Sequence, residues 1–248
     1  MTIRPFVRID ARSSRWEEPP WPSAFELARL LPRSSWTLVG GLMVKLHADL
    51  ASLPAPRTTV DVDSALHLET RAITFAETYT LLTGVGYFLD ESTSYAYRFV
   101  RGSDQIDVMC SDRHSVWRRP RFAGRPLFGI PGGTRALRQT IDVEVTTDAD
   151  RLRIVIPTLR GALVLKGAAF LEDTRDRGRH VEDAVILLAC VVDAYEEVWR
   201  GLSQRSRGRV RALARALQSE ATPWASHDGV VQALARESLA ELEDLMRI

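Results

Sequence analysis

Two aspartates, Asp61 and Asp63, have the residue type and spacing that most directly indicate chemistry. They lie in the alternating segment from Thr58 to Leu66, where the period of two places both carboxylates on one face of a predicted strand. Two carboxylates on one strand face can share a divalent cation, and a buried face would require such a cation to compensate them. The alternative is a solvent-exposed strand face, where a lone Asp-x-Asp pattern is ordinary.

Asp107 lies in another predicted strand, between Ile106 and Val108, and could supply a third carboxylate from a neighbouring strand. Three oxygen-rich ligands, a divalent ion and a phosphate are the arrangement that phosphoryl and nucleotidyl transfer require. The metal neutralises phosphate charge, lowers the pKa of an attacking hydroxyl and stabilises the leaving pyrophosphate.

A Gly40-Gly41 pair stands between a short apolar strand at 36–39 and a segment with helical spacing. Glycines at such a turn allow the backbone to approach a phosphate and expose the first N–H groups of the helix to it. A plain turn explains a lone Gly-Gly equally well. Followed by a strand bearing Asp61 and Asp63, the pair predicts a nucleotide site, in the order typical of the fold related to DNA polymerase beta.

At these positions the chain resembles a known family. Residues 39–42 (VGGL) and 57–63 (RTTVDVD) are similar to the first signature of the AbiEii/MenT nucleotidyltransferases, and Lys166 with residues 175–184 (RDRGRHVEDA) is similar to the second. These proteins are the toxins of type IV-like toxin–antitoxin systems. The resemblance runs in order over residues 36–190 at the level of motifs.

The resemblance implies roles for the matching residues. Catalytic positions would be Asp61, Asp63, Lys166 and Asp183, and Mg²⁺ (or Mn²⁺) would be held by Asp61 and Asp63, with Asp107 as a third ligand from the wider fold. The nucleoside triphosphate would contact Gly40, Gly41, Arg57, Thr59 and Lys166. Two departures from the wider fold are the absence of a serine after Gly-Gly and the long separation between Gly41 and Asp61.

Lys166 also stands out without any family, because 31 of the 33 basic residues are arginines and it lies in an apolar run. A compact ammonium suits a triphosphate as a point charge. The alternative for Lys166 is a position on a helix surface, with its ammonium extended to solvent. The alternative for Asp183 is a carboxylate that only stabilises a helix N-terminus.

The formal net charge of +1 combines acidic and basic blocks. Segments 113–141 and 198–219 contain arginines but no acid. Either block is ordinarily a solvated face, but together they favour a polyanionic partner. The residues predicted to contact an RNA backbone are Arg118, Arg119, Arg121, Arg207, Arg209 and Arg211, with Trp117 as a candidate for base stacking.

Several classes of protein and site are excluded. No apolar run is long enough for a membrane span, and the N-terminus lacks a signal-peptide core, which predicts a cytoplasmic protein. Two cysteines cannot build a disulfide framework, and the five histidines lack zinc-site spacing.

The hydrophobic periods predict a mixed α/β domain at 1–157 and an α-helical domain at 158–248. The resemblance implies that the first is a mixed-sheet nucleotidyltransferase domain and that the second completes the active site. We expect an NTP-dependent enzyme that releases pyrophosphate and modifies the 3′ end of tRNA, with a possible antitoxin partner. The alternatives are a nucleotidyltransferase acting on a small aminoglycoside-like molecule or a protein, and a non-catalytic nucleotide- or RNA-binding protein.

Overall fold

The computed structural model describes residues 5–54, 58–111, 120–149 and 151–247. The chain divides into two compact units. The first, called the α/β unit, comprises Met1–Leu42 and Thr59–Ile156, and the second, the helical unit, comprises Met43–Thr58 and Pro157–Ile248. The predicted fold class, a mixed α/β region followed by helices, is confirmed.

The strands of the α/β unit form a mixed sheet of six strands and two smaller sheets within the described residues. The large sheet has the order β2-β3-β6-β5-β4, with β9 paired to β6. Strands β3 and β6 are parallel, whereas β2 and β5 run antiparallel to their neighbours. The strand bounds are β1 Phe6–Asp10, β2 Trp36–Leu38, β3 Asp61–Leu66, β4 Phe88–Leu89, β5 Arg98–Arg101, β6 Asp104–Ser111, β7 Arg121–Phe122, β8 Arg125–Pro126, β9 Gly129–Ile130, β10 Thr140–Thr146 and β11 Arg151–Pro157.

Burial on the two central strands follows the alternation of the sequence. Val62 of β3 and Ile106 and Val108 of β6 are fully buried and form part of the core. Because successive side chains of a strand point to opposite faces, the core contacts of Val62 direct Asp61 and Asp63 to the other face of the sheet. Strand β3 begins at Asp61, later than predicted, and Val60 before it is exposed.

The small sheet β1-β10-β11 contains one strand that the sequence analysis missed. Strand β1 pairs in parallel with β10, with Val7 opposite Val143. Its side chains alternate between exposed and half-buried, so the segment carries no strong apolar pattern. Strand β10 lies between β1 and β11 in this sheet.

Helices alternate with strands along the α/β unit, and α2 continues from Met43 into the helical unit. Helix α3 begins with a capping box, in which Thr74 and Glu77 each accept a backbone N–H of the other. The helix bounds are α1 Trp21–Leu30, α2 Gly40–Leu50, α3 Phe75–Gly84 and α4 Gly133–Ala136.

The helical unit is built from helices that bury their apolar side chains together, and in α5 every residue from Gly161 to Ala168 is buried. Thr158 and Ser203 cap the first turns of α5 and α7. A Cβ on Gly167 of α5 would lie 2.5 Å from the carbonyl oxygen of Arg209, so glycine permits the close approach of α5 and α7. The bounds are α5 Leu159–Glu172, α6 Gly178–Ala189, α7 Gln204–Ser219, α8 Thr222–Ala225 and α9 Gly229–Arg247, with a π-helical turn at Tyr195–Trp199.

Helix α6 is followed by a separate π-helical turn. One boundary of the helical unit differs from the sequence analysis. Residues 43–58, placed in the first domain by the sequence, fall in the helical unit. There the buried ring of His47 donates a hydrogen bond from Nε2 to the carbonyl oxygen of Pro157 at 2.9 Å.

Within the described residues, no helix combines the length and the apolar character needed to cross a membrane.

The burial of His47 predicts a specific pH dependence of stability. Burial lowers the pKa of His47 to about 4. Since an unfolded histidine has a pKa of about 6.5, the unfolded chain binds more protons between pH 6.5 and 4, and stability falls as pH falls through that window. In His47→Gln we expect the slope of unfolding free energy against pH to decrease, by at most about 1.4 kcal/mol per pH unit. Denaturant unfolding at several pH values measures it, and equal slopes would contradict the assignment.

Candidate active site

The three predicted aspartates converge on one face of the large sheet. The parallel pairing of β3 with β6 places Asp63 directly opposite Asp107, while Asp61 lies opposite Gln105. One carboxylate oxygen from each of Asp61, Asp63 and Asp107 lies within 4.8 Å of the other two. The predicted juxtaposition of these residues is thus present in the structure, and their binding of a metal stays a prediction.

Neighbouring donors fix the carboxylate of Asp61. It accepts a hydrogen bond from the hydroxyl of Thr59 at 3.1 Å and one from Nε2 of Gln105 at 3.3 Å. Thr59 is buried. In the structure, the hydroxyl of this residue, which the resemblance assigned to nucleotide binding, therefore orients a candidate metal ligand.

Asp107 is held by an arginine from the adjacent strand. Arg98 on β5 donates from Nε and Nη2 to the two carboxylate oxygens, at 3.0 and 2.9 Å. The aromatic ring of Tyr97 lies 5.2 Å from the Arg98 guanidinium. Burial raises the pKa of Asp107 above its ordinary value, and the hydrogen bonds and charge of Arg98 oppose that rise. Arg98 therefore favours the ionised carboxylate that a metal ligand needs.

Gly40 lies against the third carboxylate. Its φ of +68° is in the left-handed region, and a Cβ there would lie 1.8 Å from Oδ2 of Asp63. The end of β2 is joined to β3 at the same point, because the N–H of Val39 donates to the carbonyl oxygen of Asp63 at 2.9 Å. The Gly40-Gly41 turn and the first turn of α2 are therefore placed beside the aspartates, as a phosphate-binding turn would have to be.

This donor set fits a hard divalent cation. Three carboxylates supply oxygen ligands, which Mg²⁺ and Mn²⁺ prefer over nitrogen or sulfur. Hydrogen bonds from Thr59, Gln105 and Arg98 orient two of these carboxylates, as the partners of metal ligands commonly do. Among the described residues, no other group of three or more His, Cys, Asp or Glu side chains has ligand atoms that all lie within 4.8 Å of one another.

A second charged cluster lies inside the helical unit. Nζ of Lys166 on α5 donates to Oδ2 of Asp183 on α6 at 2.6 Å, and both side chains are buried. Lys166 is therefore neither a surface lysine nor one that extends to solvent. The predicted pair is brought together, and its participation in the active site stays a prediction.

His180 and Asp173 flank that pair within the helical unit. Asp173 accepts backbone N–H groups of Arg175 and Asp176, and its Oδ2 lies 3.1 Å from Nε2 of the buried His180. Burial lowers the pKa of His180 to about 4, and the charge of Lys166 adds to the effect. The imidazole is accordingly neutral at pH 7 and orients the start of α6.

The residues predicted to contact RNA have different environments. Arg121 is exposed, whereas Arg209 is buried in the helical unit. The half-buried Arg207 and Arg211 place their guanidinium groups 4.8 and 5.4 Å from the ring of Trp199. Three further candidates, Arg57, Arg118 and Arg119, lie outside the described residues, as does Trp117.

Sequence reasoning missed Arg98 and Gln105. Gln105 precedes Asp107 by two positions on β6. The strand period of two could therefore have predicted that both side chains share one face of the sheet. Arg98 carried no comparable signal, since its proximity to Asp107 follows from the β5–β6 register.

Comparison with known proteins gave structural resemblances alone. No family model matches the chain, and no curated protein matches it. An antigenic nucleotidyltransferase-like protein from Paracoccidioides brasiliensis is 15% identical over 77% of this chain and 83% of its own, with a TM-score of 0.47. The antibiotic-resistance factor ANT(2″)-Ia, in complex with adenylyl-2″-tobramycin, is 12% identical over 89% of this chain and 97% of its own, with a TM-score of 0.32. At TM-scores below 0.5 these likenesses carry no functional weight, and the site is interpreted from its own geometry.

The contact between Gly40 and Asp63 predicts that alanine is not tolerated at position 40. Gly40→Ala must move the Asp63 carboxylate and adopt a strained φ, which costs at least about 1–2 kcal/mol of unfolding free energy. The control is Gly84→Ala, because a Cβ on Gly84 meets nothing within 4 Å. Thermal unfolding and Mn²⁺ titration of both variants measure the effect, and equal behaviour would show that Gly40 has no special role.

The buried ion pair predicts a large effect of truncating Lys166. Lys166→Met leaves the buried Asp183 carboxylate without its ammonium and should lower the unfolding free energy by about 3 kcal/mol. Lys166→Met combined with Asp183→Asn should recover much of that loss because the buried charge is gone. Arg247→Met, which breaks an exposed pair with Asp244, is the matched control and should cost under about 0.5 kcal/mol. Denaturant unfolding measures all three variants, and a Lys166 effect no larger than the control would refute the buried pairing.

Proposed function

We propose that the protein is a metal-dependent nucleotidyltransferase that transfers a nucleoside monophosphate from an NTP to an acceptor hydroxyl and releases pyrophosphate. The observation that carries the proposal is the convergence of Asp61, Asp63 and Asp107 beside the Gly40-Gly41 turn. A carboxylate cluster next to a helix N-terminus combines a place for a divalent cation with a place for phosphate.

Each residue of the site has a task in this reaction. Asp61, Asp63 and Asp107 would hold Mg²⁺, which when bound neutralises phosphate charge and lowers the pKa of the attacking hydroxyl. Backbone N–H groups at Gly40 and Gly41 would orient the triphosphate. The acceptor hydroxyl gives up its proton to solvent as its oxygen attacks the α-phosphorus. The bond from the α-phosphorus to the oxygen that bridges it to the β-phosphorus breaks, and pyrophosphate departs with that electron pair.

Arg98 and Thr59 act on the ligands rather than on the substrate. Arg98 keeps the Asp107 carboxylate ionised and oriented, and Thr59 orients the Asp61 carboxylate. Because these contacts lie within the protein itself, they would preorganise the ligands for charge that develops in the transition state.

The helical unit would supply the remaining cation. On the resemblance to AbiEii/MenT proteins, Lys166 contacts the triphosphate and Asp183 is the essential acid. The buried ion pair at 2.6 Å supports a conformationally fixed ammonium, and contact with the triphosphate would require it to exchange Asp183 for phosphate.

The acceptor that we propose is the 3′ end of tRNA, which makes the protein a toxin that blocks aminoacylation and has a possible antitoxin partner. The support is the signature resemblance together with the acid-free basic helix α7, on which Arg205 and Arg215 are exposed. Phosphate contacts of this kind position a nucleic acid without reading its sequence. A small-molecule or protein acceptor and a non-catalytic binding role are the alternatives that the assay below separates.

The decisive experiment incubates the purified protein with total RNA and each α-labelled NTP, with and without Mg²⁺. We expect label in a tRNA-sized band that requires the metal. Asp61→Asn and Asp63→Asn should each reduce transfer about 10³-fold or more, because each removes a charged ligand worth several kcal/mol of transition-state stabilisation.

The control is Asp244→Asn, which changes an exposed aspartate in α9 and should leave transfer unchanged. If the label appears on an added aminoglycoside or on a protein instead of RNA, the proposed acceptor is wrong and the proposed reaction stands. Near wild-type transfer by either ligand variant would overturn the metal assignment.

A further inference from the structure

Gln105 touches two of the three candidate metal ligands at once. Its Nε2 lies 3.3 Å from Oδ2 of Asp61 and 3.3 Å from Oδ1 of Asp107. We propose that Gln105 is a positioning residue whose side-chain amide bridges these two carboxylates and sets their separation for the metal. The inference rests on the metal site of the proposed function.

The strand register puts the amide between the two aspartates. Gln105 is the β6 partner of Asp61 across the parallel β3–β6 pair, and it stands two residues before Asp107 on its own strand. The period of two therefore directs Gln105 and Asp107 to the same face as Asp61. The backbone pairing fixes the Cα position of Gln105, and the bridge between the two carboxylates follows from that position.

The chemistry of the amide suits this position. Both neighbours are carboxylates and accept hydrogen bonds, so the NH₂ group, with its two donors, must face them, whereas the amide oxygen would repel both. Each carboxylate oxygen has two lone pairs, and a hydrogen bond to one leaves the other for a cation. A neutral donor also holds the carboxylates together without adding a positive charge that would repel the metal.

The other donors act on single carboxylates. Thr59 donates to Asp61, and Arg98 donates to both oxygens of Asp107. Gln105 couples the two, so that a displacement of one carboxylate is transmitted to the other. Loss of such an outer partner typically weakens metal binding 10–100-fold.

The test measures Mn²⁺ affinity of the full chain without nucleotide, by titration with electron paramagnetic resonance of the free ion. Gln105→Met has nearly the same length but no donors, and we expect its Mn²⁺ dissociation constant to rise about tenfold or more. Gln105→Asn keeps the amide on a shorter stem that cannot span both carboxylates, and it should behave like Gln105→Met. Gln218→Met, an exposed change on α7, is the matched control and should bind as the wild type does.

Thermal unfolding of every variant separates positioning from stability. A Gln105→Met or Gln105→Asn protein that unfolds like the wild type and binds Mn²⁺ at least tenfold more weakly supports the proposal. If both variants bind Mn²⁺ within about twofold of the wild type while Asp61→Asn loses binding, the positioning role is wrong and the metal site stands. If Asp61→Asn also binds normally, or the wild type binds no Mn²⁺, the metal site and the positioning role both fail.

Discussion

The parallel pairing of β3 with β6 is the constraint on which the candidate site depends. Its register sets Asp63 opposite Asp107 and Asp61 opposite Gln105, so three carboxylates and one amide share a face of the sheet. A one-residue slip of β6 against β3 would turn Gln105 and Asp107 toward the core. Because Val62, Ile106 and Val108 are fully buried on the other face, hydrophobic burial and site geometry enforce the same register.

Carboxylates gathered this closely repel one another, and the surrounding donors show how the α/β unit tolerates them. Arg98 neutralises the most buried carboxylate, Asp107, against the rise in its pKa that burial causes. Thr59 and Gln105 add neutral hydrogen bonds, and Gly40 leaves the space that Asp63 occupies. These contacts hold the cluster together, with one carboxylate oxygen of each aspartate within 4.8 Å of the other two.

The helical unit contains a buried lysine and a buried aspartate that pair with each other. Lys166 and Asp183 meet at 2.6 Å in an apolar setting, with the neutral His180 nearby. Such a pair has a large desolvation cost and contributes little net stability, whereas loss of either partner alone leaves an uncompensated buried charge.

The sequence alone determined the strand–turn–helix–strand order around Gly40 and the spacing of Asp61 and Asp63, because local period and turn chemistry are written in adjacent residues. It also singled out Asp107 and Lys166, whereas Asp183 was indicated only by the family resemblance. Only the tertiary structure decided that Arg98 donates hydrogen bonds to Asp107 and that Lys166 is buried against Asp183. It also decided that Arg209 is buried, although its segment is rich in basic residues. Those facts depend on strand register and helix packing, which bring together residues far apart in the chain and which no local pattern specifies.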